Sequence, residues 1–373
     1  MAKAALYTIF RCTNYGAVLQ AFALARTMRG ILGEDSVDVV NHRMDPRDTH
    51  LLGKITNPNT PWFQRWRNRR KFAARYFRPD LFEARRAKTA ALIEREVRPT
   101  ERLYASPDEL RGLPAYATVV VGSDQVWNPE IRRGQRDILF LKFADEAQRV
   151  AVAPSIGISR IADADREEYR ENLRGFPYLS CREDAGAEEI QRIAGKECAH
   201  LIDPTLAISP REWRQAASAT RNEAGRNYAV AFFLGGLGED IKSRILAYCA
   251  EKQLDLKMIT NRENNTGPLS PLAFVDLIDR AAMVFTDSFH GTAFSVNLET
   301  PFYVFDRVDR AQNNNRTTSR IESLVKMFGL QERRNASAFA EACDFTAAEN
   351  RLAREREKFD AFIDRSLGIE GRE

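Results

Sequence analysis

The chain has 373 residues, of which 44% are hydrophobic and 29% charged, and its formal net charge is +4. This length suits two domains of about 150 to 200 residues each, and the composition excludes a disordered or fibrous protein. No apolar run approaches the roughly 20 residues that a membrane-spanning helix needs. The first residues lack the pattern of a secretory signal, so we expect a cytoplasmic protein.

Metal and disulfide chemistry are disfavoured by the same composition. The five cysteines are scattered without a CxxC pair, and only four histidines are present. These counts argue against a disulfide framework, a thiolate zinc site and a histidine-rich metal site. We therefore expect free thiols, no metal and no resident cofactor.

Strands and helices alternate along most of the sequence. In the first half, hydrophobic runs predict strands at residues 4–10, 37–40, 118–121, 150–153, 178–181 and 200–202. In the second half they predict strands at residues 228–234, 256–260, 283–286 and 302–305, with helices at 240–250, 271–281 and 293–298. Such alternation indicates parallel sheets covered by helices. We predict an α/β fold of two Rossmann-like domains that face a central cleft, an arrangement that is GT-B-like.

The predicted domain limits follow from the same pattern. An N-terminal α/β domain covers residues 1–208, with a basic, aromatic helical insertion at about 55–100. A C-terminal α/β domain covers residues 209–340, and a charged helix occupies residues 341–373. In open α/β sheets ligands bind beyond the carboxyl ends of the strands, so the loops that follow the strands are the candidate site.

The strongest of these loops is Asp287-Ser288-Phe289-His290-Gly291-Thr292, where a buried strand turns into a helix. A helix start offers N–H groups to an anion, and glycine permits a close approach of the backbone. Histidine can transfer protons near neutral pH. On position alone, His290 is equally compatible with a hydrogen-bonded helix-start residue that has no chemistry.

A second loop, Gly122-Ser123-Asp124-Gln125-Val126-Trp127-Asn128, carries a carboxylate, two amides, a hydroxyl and an indole. Such groups can hold a sugar, although a capped turn with Trp127 in the core fits the sequence as well. A third loop, Asn14-Tyr15-Gly16, gives weak evidence for a ligand site. It lacks the GxGxxG and Walker patterns, which argues against a standard NAD site or a P-loop.

A polar loop is predicted over residues 313–320, ahead of a helix that starts near Ile321. Arg316 and Arg320 in this loop could clamp a phosphate or a carboxylate through paired N–H groups. A solvated loop that caps the helix explains the same residues.

Taken together, these blocks resemble the polysaccharide pyruvyl transferase family. The resemblance spans roughly residues 5–330 and rests on ordered segments: Asn14 to Leu24, Gly122 to Asn128, Ser180-Cys181-Arg182-Glu183, Asp203-Pro204-Thr205-Leu206, Thr286 to Phe294, and Pro301-Phe302. Each block alone is weak, but their order makes chance agreement improbable.

The resemblance implies a function for each half of the chain. It implies phosphoenolpyruvate as the donor, bound by the second half, and a sugar acceptor bound by the first. The product would be a pyruvate ketal on a cell-surface polysaccharide, such as an exopolysaccharide of the cell envelope, or on its lipid-linked precursor. His290 would be the general acid/base, with Asp124 or Asp287 orienting it or serving as a second acid/base.

The binding residues that the resemblance implies fall into two sets. The acceptor set comprises Asn14, Tyr15, Gly16, Ser123, Gln125, Trp127 and Asn128. The donor set comprises Ser288, Gly291, Thr292, Arg316 and Arg320. Some family members carry an arginine for the donor phosphate two positions before the histidine, where this chain has Ser288, so Arg316 or Arg320 would have to replace it.

Two other functions stay open at this point. A GT-B glycosyltransferase that uses a nucleotide sugar would share the fold, since fold does not fix function. A carbohydrate-binding member that has lost catalysis is the other, and Ser288 is the feature that favours it.

Residues 61–78 form a distinct segment with seven basic residues, six aromatic residues and no acid. Peripheral contact with a membrane surface is one interpretation, because basic residues attract anionic lipids and Trp and Phe bury at the interface. A helical hairpin whose aromatic side chains pack on the first domain is another. Nucleic-acid binding is the least favoured, and we expect no nucleic-acid partner.

Overall fold

Two parallel sheets organise the molecule. The computed structural model describes residues 4–42, 61–66, 79–104, 106–111, 116–129, 136–220, 227–260, 263–307, 315–340 and 342–369. For residues 79–82, 107 and 315–319 it describes the backbone only.

The first sheet has four parallel strands in the order β2-β1-β3-β4. They are β1 (Ala4–Tyr7), β2 (Val37–Val39), β3 (Thr118–Asp124) and β4 (Arg149–Pro154). The central strands are buried along most of their length, as expected for a parallel sheet with helices on both faces. Their carboxyl ends therefore open toward the same edge.

Helices and a small second sheet complete the first half. The helices are α1 (Tyr15–Leu32), α2 (Pro79–Leu92), α3 (Pro107–Leu110), α4 (Arg136–Leu139), α5 (Asp163–Arg174), α6 (Asp184–Ala194) and α7 (Pro204–Ala207). A π-helical turn (Ile93–Val97) follows α2, and a 3-10 turn (Glu146–Gln148) precedes β4. The two short strands β5 (Ser180–Cys181) and β6 (Ala199–His200) pair in parallel. Arg182 and Glu183 follow β5 directly, and Asp203 lies three residues after the end of β6, so these strands set where the charged residues lie.

The second half repeats the plan with strand order β10-β9-β7-β8. Its strands are β7 (Tyr228–Phe233), β8 (Asp255–Thr260), β9 (Met283–Thr286) and β10 (Phe302–Val304). Its helices are α8 (Pro210–Ala217), α9 (Glu239–Glu251), α10 (Pro271–Asp279), α11 (Phe289–Leu298), α12 (Asn315–Met327) and α13 (Thr346–Ser366). Short 3-10 turns lie at Ser218–Thr220 and Gln331–Arg333. The predicted α/β fold with two Rossmann-like halves is confirmed.

The predicted loop at residues 313–320 is wrong for its second part. Residues 308–314 lie outside the described residues, but α12 already begins at Asn315. The helix is held by Ile321, Leu324 and Val325, which are buried. Because residues four apart share a helix face, Arg320 lies one turn before Leu324 and is buried with it.

Aromatic packing joins the two halves into one continuous core. Tyr15 of α1 stacks on Phe274 of α10, with ring centroids 4.7 Å apart. Trp213 of α8 contacts Phe22 of α1 at 5.4 Å and Phe294 of α11 at 5.0 Å. One hydrophobic cluster therefore includes residues of both halves.

Helix α13 returns from the second half to the first. Its Arg356 guanidinium donates to the carbonyl of Leu206 at 2.9 Å and to Asn297 Oδ1 at 2.9 Å. Its Phe362 ring lies edge-on to Tyr178, with centroids 6.4 Å apart. The helix thus contacts both halves. None of the helices in the described ranges is long and apolar enough to cross a membrane.

Candidate active site

His290 lies in the first turn of α11, directly beyond the carboxyl end of β9. Ser288 caps this helix, since its Oγ accepts the Gly291 N–H at 3.4 Å. Thr292 Oγ1 donates to the Ser288 carbonyl at 3.0 Å. A Cβ at Gly291 would lie 2.5 Å from Thr286 Oγ1, so glycine here permits close helix–strand packing. The three predicted donor-binding residues Ser288, Gly291 and Thr292 therefore build the helix start and are buried.

The imidazole of His290 is held between the two halves. Its side chain is 9% exposed, and Nε2 lies 3.6 Å from Oδ2 of Asp203, at the start of α7. On another side it contacts Gly16 at the start of α1. A Cβ at Gly16 would lie 2.0 Å from Nδ1, so only glycine leaves room for the ring.

Asp203 is a buried carboxylate that caps α7. Its Oδ1 accepts the Thr205 N–H at 2.9 Å and the Thr205 hydroxyl at 2.7 Å, and its Oδ2 accepts Arg182 Nη1 at 2.7 Å. Burial alone would raise the pKa of Asp203, but His290, Arg182 and the Thr205 N–H lower it. The resulting pKa is well below the ordinary value for aspartate. The carboxylate is therefore ionised throughout the neutral range.

Arg182 is a buried cation at the end of β5. Its guanidinium lies 3.2 Å from Glu183 Oε1 and 3.8 Å from Asp124 Oδ1, and it stacks over the Phe289 ring at 4.3 Å. Burial would lower the pKa of Arg182, but the carboxylates of Glu183, Asp203 and Asp124 raise it, so the side chain stays charged. Its Nη2 is buried and has no hydrogen-bond partner within the described ranges.

Arg320 reaches the same place from α12. It lines a cavity together with Arg182, Glu183, Asp203 and Phe289. Burial, and then the positive charge of Arg182, lower the pKa of Arg320 to about 10. Its Nε is also buried without a partner among the residues that the structure describes. Two buried guanidinium groups with unused N–H donors form a site that an anion would satisfy. The side chain of Arg316 lies outside the described residues.

The carboxylate of Asp287 contacts a different set of groups from those that surround His290. Its two carboxylate oxygens accept the backbone N–H groups of Leu234 and Gly235, each at 2.7 Å. Arg307 Nε lies 3.5 Å from Oδ2 of the same carboxylate. Burial raises the pKa of Asp287 against the lowering effect of Arg307. This carboxylate ties the loop after β7 to the loop after β9, whereas the carboxylate at the imidazole belongs to Asp203.

The loop after β3 divides into buried and half-buried residues. Trp127 is 1% exposed, and its indole N–H donates to the Leu139 carbonyl at 3.0 Å, so its ring belongs to the core. Ser123 is buried and donates to the Ala153 carbonyl at 2.8 Å. Asn128 Nδ2 donates to Gln125 Oε1 at 2.8 Å. Of the residues predicted in this loop to contact the acceptor, Gln125 alone is half-buried rather than buried.

Asp124 and the loop after β1 lie at the domain interface. Asp124 has a positive φ of 58°, and its carboxylate is 14% exposed beside Arg182. Asn14 is exposed and caps α1 by accepting the Gly16 N–H at 3.0 Å. Tyr15 is buried against Phe274 of the second half. The predicted acceptor residue Tyr15 therefore packs the two halves together.

Asp203, Arg182 and Arg307 are site residues that the sequence analysis did not single out. Arg182 and Asp203 stand in the blocks that carry the family resemblance, each directly after a hydrophobic run. A charged residue directly after a hydrophobic run and ahead of a helix is a signal that could have marked both. Within the described ranges, no cluster of three or more His, Cys, Asp and Glu side chains could hold a metal ion.

Fold and site together define a class: a two-domain α/β protein with a buried His–Asp pair and buried arginines where its halves meet. The chain matches the family profile "Polysaccharide pyruvyl transferase" over residues 14–310, and it belongs to this family.

Two solved structures share weak similarity with the chain. One is a functionally uncharacterised protein, KP1_0663, from Klebsiella pneumoniae (10% identity, 70% of this chain and 87% of that chain covered, TM-score 0.36). The other is UDP-GlcNAc 2-epimerase from Neisseria meningitidis bound to UDP-GlcNAc (10% identity, 96% and 100% covered, TM-score 0.40). A search of curated protein sequences finds no significant match.

Proposed function

We propose that this protein is a pyruvyl transferase that uses phosphoenolpyruvate to form a pyruvate ketal on a sugar. The acceptor would be a unit of a cell-surface polysaccharide or its lipid-linked precursor, and the reaction would take place in the cytoplasm. Family membership supports the reaction class. The observation that carries the donor is the pair of buried arginines, Arg182 and Arg320. Their side chains line one cavity with Asp203, and each has a buried N–H group without a hydrogen-bond partner in the described part of the chain.

The donor carries a phosphate and a carboxylate, which match this site in charge. Guanidinium groups bind both anions through charge-assisted hydrogen bonds. Arg320 was predicted for this role in place of the arginine that Ser288 replaces. Arg182 and Arg307 are further cations for the same donor, and Arg307 Nε is also buried without a hydrogen-bond partner in the described part of the chain.

The chemistry requires a group that both gives and takes a proton. Protonated His290 would give a proton to the methylene carbon, so that C2 gains oxocarbenium character. The first sugar hydroxyl would attack C2 and return a proton to the imidazole. The second hydroxyl would displace phosphate, which leaves with that hydroxyl's proton. The scheme balances without a metal or cofactor, and the arginines would stabilise the charge on the departing phosphate.

Asp124 is the better placed of the two predicted second acid/base groups. Its carboxylate is partly exposed beside Arg182, while both oxygens of Asp287 already accept backbone N–H groups. We therefore assign to Asp124 the role of passing the second hydroxyl's proton to the departing phosphate, and to Asp287 an anchoring role.

Donor identity can be tested by thermal denaturation with phosphoenolpyruvate, inorganic phosphate, UDP and UDP-sugars as separate ligands. A ligand that binds only the native state stabilises it by about 2.7 kcal/mol at 100 times its Kd. We expect phosphoenolpyruvate to raise the melting temperature of the wild type and of His290→Ala. The increase should be lost in Arg320→Met and kept in Arg29→Met, which removes another buried arginine whose pKa is lowered to about 10.

Turnover supplies the second readout. Phosphate release and the mass of the modified sugar report ketal formation directly. His290→Ala should lower the rate by the factor of about 10² to 10⁴ that general acid–base catalysis contributes. Near-wild-type turnover in this variant would refute the role of His290. Stabilisation by a nucleotide and not by phosphoenolpyruvate would instead favour the glycosyltransferase. Stabilisation by sugars alone would favour a non-catalytic carbohydrate-binding protein.

We further propose peripheral contact with the inner face of the plasma membrane through the segment that includes residues 61–66. Trp62, Phe63 and Trp66 are 74%, 54% and 56% exposed, which disfavours packing of these rings on the first domain. Arg65 lies among them. The stretch 67–78 that follows, which contains the other basic residues of the segment, lies outside the described residues. Exposed aromatic rings beside arginines suit a surface of anionic lipid.

Sedimentation with lipid vesicles tests this contact. We expect the wild type to sediment with vesicles that contain phosphatidylglycerol and not with pure phosphatidylcholine. A Trp62→Ala, Phe63→Ala variant should lose most of this binding, and so should a charge-reversal variant at Arg69, Arg70 and Lys71. Leu246→Ala, which removes another exposed apolar side chain, is the control. Equal sedimentation of all these proteins would exclude the proposed surface.

A further inference from the structure

Asp203 has one lone-pair direction left after its other hydrogen bonds are counted. Its Oδ1 accepts two donors from Thr205, and its Oδ2 accepts Arg182 Nη1 at 2.7 Å. A carboxylate offers about four acceptor sites, so the remaining one belongs to Oδ2. Oδ2 lies 3.6 Å from Nε2 of His290.

The two nitrogens of His290 stand in different surroundings. Nε2 is buried and has no hydrogen-bond partner among the described residues. The acceptor that faces it is Oδ2 of the Asp203 carboxylate, 3.6 Å away. Nδ1 faces the start of α1, where the imidazole ring itself occupies the space that a Cβ at Gly16 would fill. An ionised carboxylate can only accept, so Nε2 must carry the hydrogen when the two groups meet.

We propose that Asp203 is a positioning residue that holds the Nε2–H tautomer of His290, so that the imidazole exchanges its catalytic proton with the substrate through Nδ1. A neutral imidazole with hydrogen on Nε2 presents a bare lone pair at Nδ1. This is the atom that would take the hydroxyl proton and that would deliver a proton to the methylene carbon. The assignment of the catalytic atom rests on the proposed function, whereas the tautomer itself does not.

The charge of Asp203 supports this role in both protonation states of His290. The pKa of Asp203 is well below its ordinary value. Burial raises this pKa, but His290, Arg182 and Thr205 together lower it by more than burial raises it. The carboxylate is thus ionised when the imidazole is neutral and when it is charged. It orients the neutral ring and stabilises the imidazolium that forms during turnover. Because α7 belongs to the first half and α11 to the second, this contact crosses the domain interface.

Nitrogen-15 NMR of histidine-labelled protein tests the tautomer without any turnover. The chain has four histidines, and His290→Gln identifies the signals of His290 by their loss. At a pH where the imidazole is neutral, we expect a protonated Nε2 and a bare Nδ1 in the wild type. A protonated Nδ1 in the wild type would overturn the proposal, and this outcome does not depend on any variant being folded.

The matched variant is Asp203→Ser. Serine is a good N-cap and keeps an acceptor for the Thr205 N–H, but it removes the carboxylate oxygen that faces His290. We expect a mixture of tautomers and a fall in kcat on the order of 10- to 100-fold, within the range of acid–base catalysis. Ser209→Ala, which removes the N-cap of α8, is the structural control and should alter none of these.

The outcomes separate this proposal from the proposed function. If the wild type does not use phosphoenolpyruvate but shows protonated Nε2 that is lost in Asp203→Ser, the Asp203–His290 pairing stands and the reaction is wrong. If the wild type turns over phosphoenolpyruvate while Asp203→Ser keeps the wild-type tautomer and kcat, Asp203 has no positioning role.

Discussion

Burying two arginine side chains in one cavity raises the free energy of the folded protein unless a negatively charged group lies beside them. Removing a cation from water is unfavourable, and Arg182 lies close enough to Arg320 to lower its pKa further. Arg182 is compensated by three carboxylates, so the uncompensated charge belongs mainly to Arg320. The cost of holding Arg320 charged is the stored free energy that a bound anion would recover.

This cost predicts a pH-dependent stability. The pKa of Arg320 is lowered to about 10 in the folded chain, so the unfolded chain binds its proton more tightly. The cost is therefore complete at neutral pH and declines as the pH rises through 10. Arg320→Met should be more stable than the wild type near pH 7, by up to about 3 kcal/mol at 1.36 kcal/mol per pKa unit, less any packing that is lost.

Denaturant unfolding of both proteins between pH 7 and pH 11 measures this difference. We expect the difference in the free energy of unfolding between Arg320→Met and the wild type to become smaller above pH 9. Added phosphate should narrow it too, because the anion stabilises only the wild type. A variant that is less stable than the wild type at pH 7 by the same amount at every pH would show that the charge of Arg320 carries no cost.

At the scale of elements, the starts of α1, α7 and α11 meet around one imidazole. Each is fixed by its own N-cap: Asn14, Asp203 and Ser288. Capping sets where a helix begins to within one residue, and it therefore also sets where the first-turn side chains lie. The close approach of α1 to α11 depends on the absence of a side chain at Gly16.

Gly16→Ala tests this approach. A Cβ there would lie 2.0 Å from His290 Nδ1, so the ring must move by more than 1 Å. Displacement on this scale costs about 10²-fold in rate, and we expect kcat to fall accordingly. Gly30→Ala is the matched control in the same helix, since no atom lies within 4 Å of its added Cβ. Wild-type turnover by Gly16→Ala would show that the ring is not held there.

Secondary structure was largely readable from the sequence because buried parallel strands are short apolar runs that end in polar loops. The prediction for β9 matches residue for residue, and those for β7 and β8 differ at one end only. The first turn of α12 was missed because Arg316 and Thr317 look solvated in isolation. The helix is set by the core contacts of Ile321 and Leu324, which are tertiary.

The site was less accessible to sequence reasoning than the elements. His290 was found because its loop combines a strand end, a glycine and a histidine. Asp203 was not singled out, although its block was noted, since nothing in residues 200–206 indicates that His290 lies opposite. Trp127 was assigned to a ligand partly for its residue type, whereas its neighbours Phe140 and Phe176 place it in the core. Pairings across the interface depend on docking, which local patterns do not encode.

At the scale of the whole molecule, the two sheets are separate but the apolar core is not. The cluster that contains Tyr15, Phe22, Trp213 and Phe294 runs through both halves, and α13 contacts both. Aromatic contacts of this kind add to the area that is buried. The sequence alternation revealed two halves, and the domain limits at residues 208 and 340 stay predictions.

The contact between Asp203 and His290 ties the proposed activity to the joining of the two halves. Asp203 belongs to the first half and His290 to the second, so neither half holds the pair alone. Under the proposed mechanism, proton transfer therefore requires α1, α7 and α11 to be packed together. A chain in which both sheets have formed and the halves have not joined would not catalyse the proposed transfer.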